Sequence, residues 1–391
     1  MGPLCGEDER GWWASRIWLP WIDRVKPLAD SVVLEYGCGP GSVSRAVAPL
    51  VARHIGLDID ADHLSIARRL AASSEQDNSE FHCHPPEDIV DAFRAFAGQV
   101  DIVLLYAVLE HLTVDERLAV LRAARDVARP YGVIAVVELP NRLTAFDQHS
   151  TWLPFANQLP DDLALEYLRR ATRPEFRDEV LSHRNPSLPA SADEEALLAL
   201  RRFGRGASFH EFELAWDARL ADCVLASNWG PDVLAHREID PGELALARTM
   251  RERRPDLDPC WSRQWIDTII APDPVVRREP VFWPWTGIAG PASEKVAYNS
   301  PDIVFVGRGA ALHVELPEPT RRVALRIVDG EEATSVLVET LTGGTVEQHA
   351  VGRPGHAVTV TLDLPEWSDD LLVRLPNGGW ILVVLFLGYG G

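Results

Sequence analysis

The spacing of apolar positions divides the chain into three regions. Between about residues 30 and 145, short β-branched runs alternate with segments of helical period, a pattern typical of β–α units on a parallel sheet. The predicted strands are Val32–Tyr36, His54–Leu57, Glu80–Cys83, Val100–Leu105 and Gly132–Glu138. The predicted helices between them are Ser42–Val51, His63–Ala72, Ile89–Ala97 and Asp115–Ala128. This region therefore predicts an α/β fold with a doubly wound, mostly parallel sheet.

The middle region, from about residue 146 to 272, has mostly helical periodicity interrupted by prolines. It predicts helices over Asp161–Arg170, Ala192–Arg202 and Gly242–Arg253. The segment ASFHEFELAW (Ala207–Trp216) instead predicts a strand that returns to the sheet. Prolines 272, 274, 280, 284 and 291 then exclude a continuous helix or a central strand and indicate a linker.

After about residue 295, short β-rich runs follow one another at intervals of about ten residues, separated by Gly, Pro, Asp and Asn turns. The runs are Ile303–Val306, Ala311–Leu316, Val323–Val328, Ser335–Thr340, Val346–Val351, Ala357–Leu362, Leu371–Leu375 and Trp380–Leu387. They predict an all-β, sandwich-like module. The very apolar Ile381–Leu387 is predicted either to lie centrally or to pair with a second copy in a homodimer, because an exposed edge of that kind aggregates.

These patterns together predict a division into four segments. Residues 1–30 form a lid helix rich in tryptophan, and residues 31–225 form the α/β core with a helical insert over about 146–205. Residues 226–294 form a helical extension and the proline-rich linker, and residues 295–391 form the β-sandwich-like domain. The tryptophans of the first segment are Trp12, Trp13, Trp18 and Trp21.

Composition narrows the classes of protein. The 391 residues carry 58 acidic and 38 basic groups, a net charge of −20, which disfavours nucleic acid and anionic membrane surfaces as partners. No apolar run approaches the roughly 20 residues of a membrane span, and the N-terminus lacks the apolar core of a secretory signal. Five scattered cysteines are typical of a reducing compartment. We expect a soluble, cytoplasmic protein.

A glycine loop is the strongest local motif. Glu35, Gly37, Gly39 and Gly41 form E-x-G-x-G-x-G directly after the first predicted strand and before a helix. Glycines permit tight curvature and close approach of a ligand, and a helix N-terminus offers free N–H groups. A nicotinamide-dependent oxidoreductase is disfavoured, because its usual G-x-G-x-x-G loop places the third glycine one residue later.

This loop, with its acid two residues before the first glycine, resembles motif I of class I S-adenosylmethionine-dependent methyltransferases. The resemblance implies a Rossmann-like fold and S-adenosylmethionine as cofactor, with S-adenosylhomocysteine as its product. It implies that the glycines lie against the methionine part of the cofactor and that Glu35 holds the amino group. Asp58, about 20 residues further on, matches the acid that binds the ribose hydroxyls, although an N-cap role before the next helix is the alternative.

The resemblance extends over about 110 residues. The run Asp101–Tyr106, followed by A-V-L-E-H-L, is similar to motif IV. This similarity implies that Tyr106 and His111 lie at the cofactor pocket and that the role of His111 is to shape the pocket. A-R-P-Y-G (residues 128–132) is similar to the turn before strand five. A proline replaces the usual acid that binds the adenine amino group after strand three. The remaining residues predicted at the cofactor are Ile59, Glu87 and Asp88.

Methyl transfer to a hydroxyl requires a group that removes a proton. Elements P-N-R, D-x-H and G-R-G-x-S-x-H-E follow strand five and resemble a subgroup of these methyltransferases that acts on small molecules or sugars. His149 is the leading candidate for the base, with Asp147 or Glu211 as its orienting group and His210 as the second candidate. The alternative is that both histidines are hydrogen-bonded structural residues.

No metal site is predicted. His82, Cys83 and His84 are adjacent on a strand, so their side chains alternate between faces and cannot converge on one ion. A divalent ion held by Asp147, His149 and Glu211 is conceivable, but no compact ligand motif supports it.

The favoured hypothesis is a methyltransferase that transfers the methyl group to a hydroxyl of a natural product or sugar. Its partner would be a small-molecule, sugar or peptide acceptor, and neither nucleic acid nor membrane. Two alternatives stay open. One is an N-, C- or carboxyl-directed methyltransferase, and the other is a catalytically silent binding protein on the same fold.

Overall fold

The computed structural model describes residues 8–74, 77–203, 205–220, 223–230, 233, 239–272, 281–285, 290–291, 296–300, 303–328, 333–340, 343–351 and 357–388. Contacts divide the chain into two compact units. The first comprises Met1–Ser227 and Cys260–Arg278, and the second comprises Asn228–Pro259 and Glu279–Gly391. Most of the predicted proline-rich linker lies outside the described residues. Cys5 also lies outside them, as does Gly204, the first glycine of the G-R-G element.

The described part of the first unit is built on a seven-stranded sheet with the order β3-β2-β1-β4-β5-β7-β6. Neighbours from β3 to β5 are parallel, whereas β7 is antiparallel to β5 and β6. The strands are β1 (Val32–Tyr36), β2 (Arg53–Asp58), β3 (Ser79–Cys83), β4 (Val100–Tyr106), β5 (Ala128–Pro140), β6 (Val224–Ser227) and β7 (Trp265–Ile270). The predicted Rossmann-like α/β fold is confirmed.

Helices follow the strands and build the insert. They are α1 (Glu9–Trp13), α2 (Leu19–Val25), α3 (Ser42–Val47), α4 (Ala61–Ser73), α5 (Ile89–Arg94), α6 (Val114–Val127), α7 (Asp161–Tyr167), α8 (Pro174–Ser182), α9 (Glu194–Arg202) and α10 (Phe209–Trp216). A π-helical turn, Ala14–Trp18, joins α1 to α2 in one helical run. The strand order reverses between β1 and β4, so a crevice opens at the carboxyl ends of these two strands.

The prediction of a strand over Ala207–Trp216 is wrong, because most of this segment is helix α10. Ser208 and Glu211 form a capping box that starts the helix. Phe212 and Trp216 lie four residues apart, so they share one face of the helix, where both are buried. The strand that returns to the sheet is instead β7, which pairs with β5. The sequence prediction did not include β7.

The second unit contains an all-antiparallel sheet whose described strands are β8 (Val281–Trp285), β9 (Gly290–Pro291), β10 (Val296–Ser300), β11 (Ile303–Val306), β12 (Leu312–Val328), β13 (Ala333–Thr340), β14 (Thr345–Val351), β15 (Ala357–Arg374) and β16 (Gly379–Gly388). Strands β12 and β15 each join two runs that the sequence predicted separately. One core contains Leu312 and Val314 from the first half of β12 and Val323 and Leu325 from the second. Both halves of β12 therefore contribute to a single core, and the predicted all-β domain is confirmed.

The apolar last strand lies inside this sheet. β16 pairs with β11 and with β12, and its end also pairs with β8. Ile381, Val384 and Phe386 are buried in the core. The first of the two predicted alternatives therefore accounts for the strand, and a homodimer through this domain stays a prediction.

Helix α11 (Pro241–Arg253) also belongs to the second unit. The Arg251 guanidinium of this helix lies 4.9 Å from the centroid of the Phe386 ring, a cation–π contact. Across the described residues, no helix combines the length and the apolar character that a bilayer crossing requires.

Candidate functional site

The glycine loop has the left-handed backbone that its composition predicts. Gly37, Gly39 and Gly41 have φ values of +76°, +51° and +86°. A Cβ atom on Gly37 would lie 2.3 Å from Cγ2 of Val108, and one on Gly41 would lie 3.0 Å from Cβ of Ala67. A Cβ atom on Gly39 would have no atom within 4 Å. Packing therefore requires glycine at the first and third positions, whereas Gly39 faces open space.

Asp58 ties this loop to the end of β2. One carboxylate oxygen, Oδ2, accepts a hydrogen bond from the Gly39 amide at 2.7 Å, and Oδ1 accepts one from the Asp60 amide at 2.9 Å. The side chain of Asp60, and not that of Asp58, caps helix α4. Because a carboxylate oxygen can accept more than one hydrogen bond, Asp58 can hold the loop and still bind a hydroxyl.

Glu35 lies beneath the loop and is only 2% exposed. Its Oε2 accepts a hydrogen bond from the Ser44 hydroxyl at 2.6 Å and lies 2.9 Å from Nε2 of His54. His54 is fully buried on β2, and the sequence prediction missed it because the contact joins neighbouring strands. A buried imidazole and a hydroxyl therefore fix the carboxylate of the motif I acid.

The remaining residues predicted at the cofactor, Ile59, Glu87 and Asp88, are exposed. Ile59 is 49% exposed, and Glu87 and Asp88 are exposed in a 3-10 turn that follows β3. His84, which precedes this turn, is buried with its ring stacked on Tyr36. Its Nε2 atom is buried without a hydrogen-bond partner. The structure thus adds a buried histidine, which the sequence prediction had discussed only as a metal ligand.

The residues after β4 carry two titratable groups with shifted pKa values. Burial raises the pKa of Glu110 to about 8, against the opposing charges of Arg117 and Arg10. The Oε2 atom of Glu110 is buried and has no hydrogen-bond partner. Tyr106, at the end of β4, is buried beside this turn. Burial therefore favours the uncharged form of Glu110, a property that the motif itself did not reveal.

His111 has a defined tautomer. Its Nδ1 lies 3.0 Å from the Arg202 carbonyl oxygen, and because a carbonyl only accepts, Nδ1 carries the proton. Nε2 is then the basic nitrogen and lies 3.7 Å from Oε1 of Glu110. Desolvation lowers the pKa of His111, although 46% of its side chain is accessible. His111 therefore presents a neutral, accessible imidazole at the crevice.

The loop after β5 brings His149 to His111. The two ring centroids are 6.2 Å apart, and the His149 ring lies 5.6 Å from that of Trp265 on β7. Buried Asp147 accepts hydrogen bonds from the backbone amides of His149, Ser150 and Thr151. Asp147 thus orders the backbone of this loop, whereas Nδ1 of His149 lies 3.1 Å from the Ser150 hydroxyl.

His210 and Glu211 lie at the start of α10. The His210 ring stacks on Phe209 at 3.9 Å, and its Nδ1 is 3.0 Å from the Ser208 hydroxyl. Glu211 accepts hydrogen bonds from the amide and hydroxyl of Ser208 and lies 3.5 Å from Arg117. Its carboxylate therefore caps a helix and pairs with a buried guanidinium. No described hydrogen bond or ring contact joins either residue to His149.

Four of the six described non-glycine residues with left-handed backbone lie directly after β4, near the end of β5 or in the loop after β5. Ala107, Glu138, Trp152 and Phe155 have φ values of +46°, +56°, +55° and +58°. The Glu138 amide donates to Oδ1 of buried Asp267 on β7 at 2.8 Å, which holds the end of β5 in this conformation. Such strained positions cluster at functional sites. Glu138 is therefore a further candidate residue of the functional site. The apolar pattern of its strand did not single it out.

The predicted lid helix packs beside the glycine loop. A Cβ atom on Gly11 would lie 2.9 Å from the Ser42 carbonyl oxygen, so glycine allows α1 to approach α3 closely. Trp18 and Trp21 are buried and pack edge to face, with ring centroids 6.1 Å apart. These two rings are therefore part of the hydrophobic core, whereas Trp12 and Trp13 are partly exposed.

Residues 33–132 match the family model described as a methyltransferase domain. This part of the chain is therefore a methyltransferase domain, and the resemblance to class I S-adenosylmethionine-dependent methyltransferases is confirmed over it.

Two curated relatives are ubiquinone biosynthesis O-methyltransferases. The protein of Acinetobacter baumannii (strain ACICU) is 31% identical over 115 residues, which cover 29% of this chain and 46% of the relative. That of Aromatoleum aromaticum (strain DSM 19018 / LMG 30748 / EbN1) is 33% identical over 116 residues, which cover 30% and 47%. The chain thus spans about half the length of the curated relatives it matches.

One solved structure that is similar to part of this chain is an S-adenosylmethionine-dependent methyltransferase from Clostridium acetobutylicum ATCC 824. The TM-score is 0.31 and the sequence identity is 15%, and the match covers 37% of this chain and 56% of that one. Another is magnesium protoporphyrin IX methyltransferase from Synechocystis PCC 6803 with bound S-adenosylhomocysteine, with a TM-score of 0.29, 21% identity and coverage of 34% and 57%.

Proposed function

We propose that the chain is an S-adenosylmethionine-dependent O-methyltransferase that acts on a hydroxyl group of a natural product or a sugar, with His149 as the general base. The observation that carries this proposal is the proximity of His149 to His111, which lies three residues after Val108, the residue that packs against Gly37 of the glycine loop. The matched methyltransferase domain and the O-methyltransferase names of the relatives support the reaction class.

The residues of the crevice fit the cofactor. Gly39 leaves open space beside a loop amide that Asp58 holds in place. Asp58 retains acceptor capacity for ribose hydroxyls, and exposed Ile59 offers an apolar surface for a flat ring. Glu35 supplies a fixed buried carboxylate beneath the loop for an ammonium group. When bound, the cofactor supplies an electrophilic methyl group.

The chain's own contribution to the reaction is to orient the acceptor and take its proton. In the tautomer whose Nδ1–H donates to the Ser150 hydroxyl, Nε2 of His149 keeps the lone pair that removes the proton from the acceptor. Asp147 fixes the backbone on which His149 stands. His111 and Trp265, which face the His149 ring, form walls against which the acceptor is aligned.

The proposal is tested by binding and turnover. Calorimetric titration with S-adenosylmethionine and S-adenosylhomocysteine is expected to show one site on the native chain. Incubation with methyl-labelled cofactor and a panel of phenols and sugars should label a hydroxyl. The absence of cofactor binding would contradict the proposal. Binding with labelling only at nitrogen, carbon or carboxyl groups would favour the second class of methyltransferase, and binding without labelling would favour a silent binding protein.

Replacing His149 with glutamine is expected to leave cofactor affinity unchanged and to lower kcat by about 100- to 10,000-fold, the usual contribution of a general base. The comparison uses His183→Gln, because His183 lies in the helical insert against Glu195, outside the crevice. Steady-state kinetics and titration calorimetry measure the two effects. Full turnover in His149→Gln would contradict the assignment of His149 as the general base. The assignment would also be contradicted if His210→Gln lost turnover to this extent and His149→Gln did not.

A further inference from the structure

The second unit carries a cluster of potential metal ligands on the outer face of its sheet. His313 and Glu315 are two residues apart on β12, so their side chains project from the same face. The intervening Val314 points to the opposite face, into the hydrophobic core. Asp370 on β15 completes the cluster, and the ligand atoms of the three side chains all lie within 4.8 Å of one another.

The register of the two strands sets this arrangement. Glu315 lies directly opposite Asp370, and His313 lies opposite Leu372. Like charges in directly opposed positions destabilise a strand pair, and two carboxylates occupy such positions here. Nε2 of His313 contacts Oδ1 of Asp370. A cation bound between the three groups would offset the repulsion between these two carboxylates.

The cluster lies where the regular ladder between β12 and β15 stops. After the Glu315–Asp370 pair, the next paired position on β12 is Thr320, opposite Ser368. Pro317 and Pro319 stand in this interval and have no amide to donate to the partner strand. An ion joining side chains of both strands would hold them together at the point where backbone hydrogen bonds are missing.

We propose that His313, Glu315 and Asp370 bind a divalent transition-metal ion, for which Zn²⁺ is the probe. One imidazole nitrogen and two carboxylates are typical of ions such as Zn²⁺, whereas Ca²⁺ and Mg²⁺ prefer sites made only of oxygen. Three protein ligands and a water molecule complete a tetrahedral Zn²⁺ site. Its role is to clamp the two long strands, and it is independent of the proposed methyl transfer.

Zn²⁺ titration of the metal-free, full-length chain by calorimetry tests this proposal. The native chain is expected to show a saturable site that is at least about tenfold weaker in Asp370→Asn and His313→Gln. Asp363→Asn is the matched control, because Asp363 lies on the same strand with its carboxylate on Arg322. This control is expected to keep the native affinity.

Thermal unfolding temperatures, measured with and without Zn²⁺, distinguish a variant that has lost a metal ligand from one that no longer folds. Glu315→Gln removes the opposed charges, so its metal-free form is expected to unfold at the native temperature or above, but Zn²⁺ should no longer raise that temperature. Ca²⁺ and Mg²⁺ should have no effect on the native chain. Equal Zn²⁺ affinity in native and Asp370→Asn protein, or no saturable binding by the native chain, would overturn the proposal.

Discussion

Replacing Gly39 with alanine is expected to weaken binding of S-adenosylmethionine by about 100-fold, or about 2.7 kcal/mol. The new Cβ atom meets no protein atom within 4 Å, so it does not disturb the core. It projects instead into the open space in which the cofactor is proposed to lie, and it blocks close approach to the loop backbone. Titration calorimetry on the variant and the native chain measures the difference.

Gly98→Ala is the matched control for this change. Gly98 also has a left-handed backbone, with φ of +69°, and a Cβ atom there would also meet nothing within 4 Å. It precedes β4 at the amino end of the strand, the edge of the sheet opposite the crevice. Both substitutions cost about 1–2 kcal/mol of backbone strain, but only Gly39→Ala should impair binding. Equal cofactor affinity in the two variants would contradict the proposed cofactor position.

Replacing Glu110 with glutamine is expected to change how the stability of the protein depends on pH. Burial raises the pKa of this carboxyl from 4.5 to about 8. Between these pH values the folded protein retains a proton that the unfolded chain has released. The free energy of unfolding of the native chain therefore falls as pH rises, by up to about 1.4 kcal/mol per pH unit from this group.

Glutamine keeps the shape of the side chain and cannot titrate. The stability of Glu110→Gln relative to the native chain is thus expected to rise by about 2 kcal/mol from pH 5.5 to pH 7. Urea unfolding at the two pH values measures this difference. Glu175→Gln, which changes an exposed carboxylate at the start of α8, should follow the native dependence. Parallel pH curves for native and Glu110→Gln protein would show that Glu110 does not hold a proton in the folded state.

The alternation of apolar strands and helices was sufficient to predict strands β1 to β4 of the methyltransferase domain. The predicted Val32–Tyr36 coincides with β1, and the bounds of β2, β3 and β4 differ by one residue at most at each end. These segments are local: buried parallel strands are continuous apolar runs, and their connecting helices have a clear period. The glycine spacing was equally informative, because left-handed backbone is restricted chiefly to glycine.

Local pattern failed where one segment is consistent with two structures. The residues of α10 alternate like a strand but also place Phe212 and Trp216 on one helical face, and the capping box together with packing against α6 selects the helix. Strand β7 was missed because its partner, β5, lies more than 120 residues earlier in the chain.

The sequence by itself determined the α/β order of the first unit, the glycine loop with Glu35 and Asp58, and the β-rich character of the last domain, because each depends on local periodicity or on the conformational range of single residues. The tertiary structure decided which side chains meet. It placed His149 beside His111, His54 against Glu35 and Asp370 opposite Glu315. These contacts join residues distant in the chain, and their burial sets the charge state of groups such as Glu110, which no local pattern specifies.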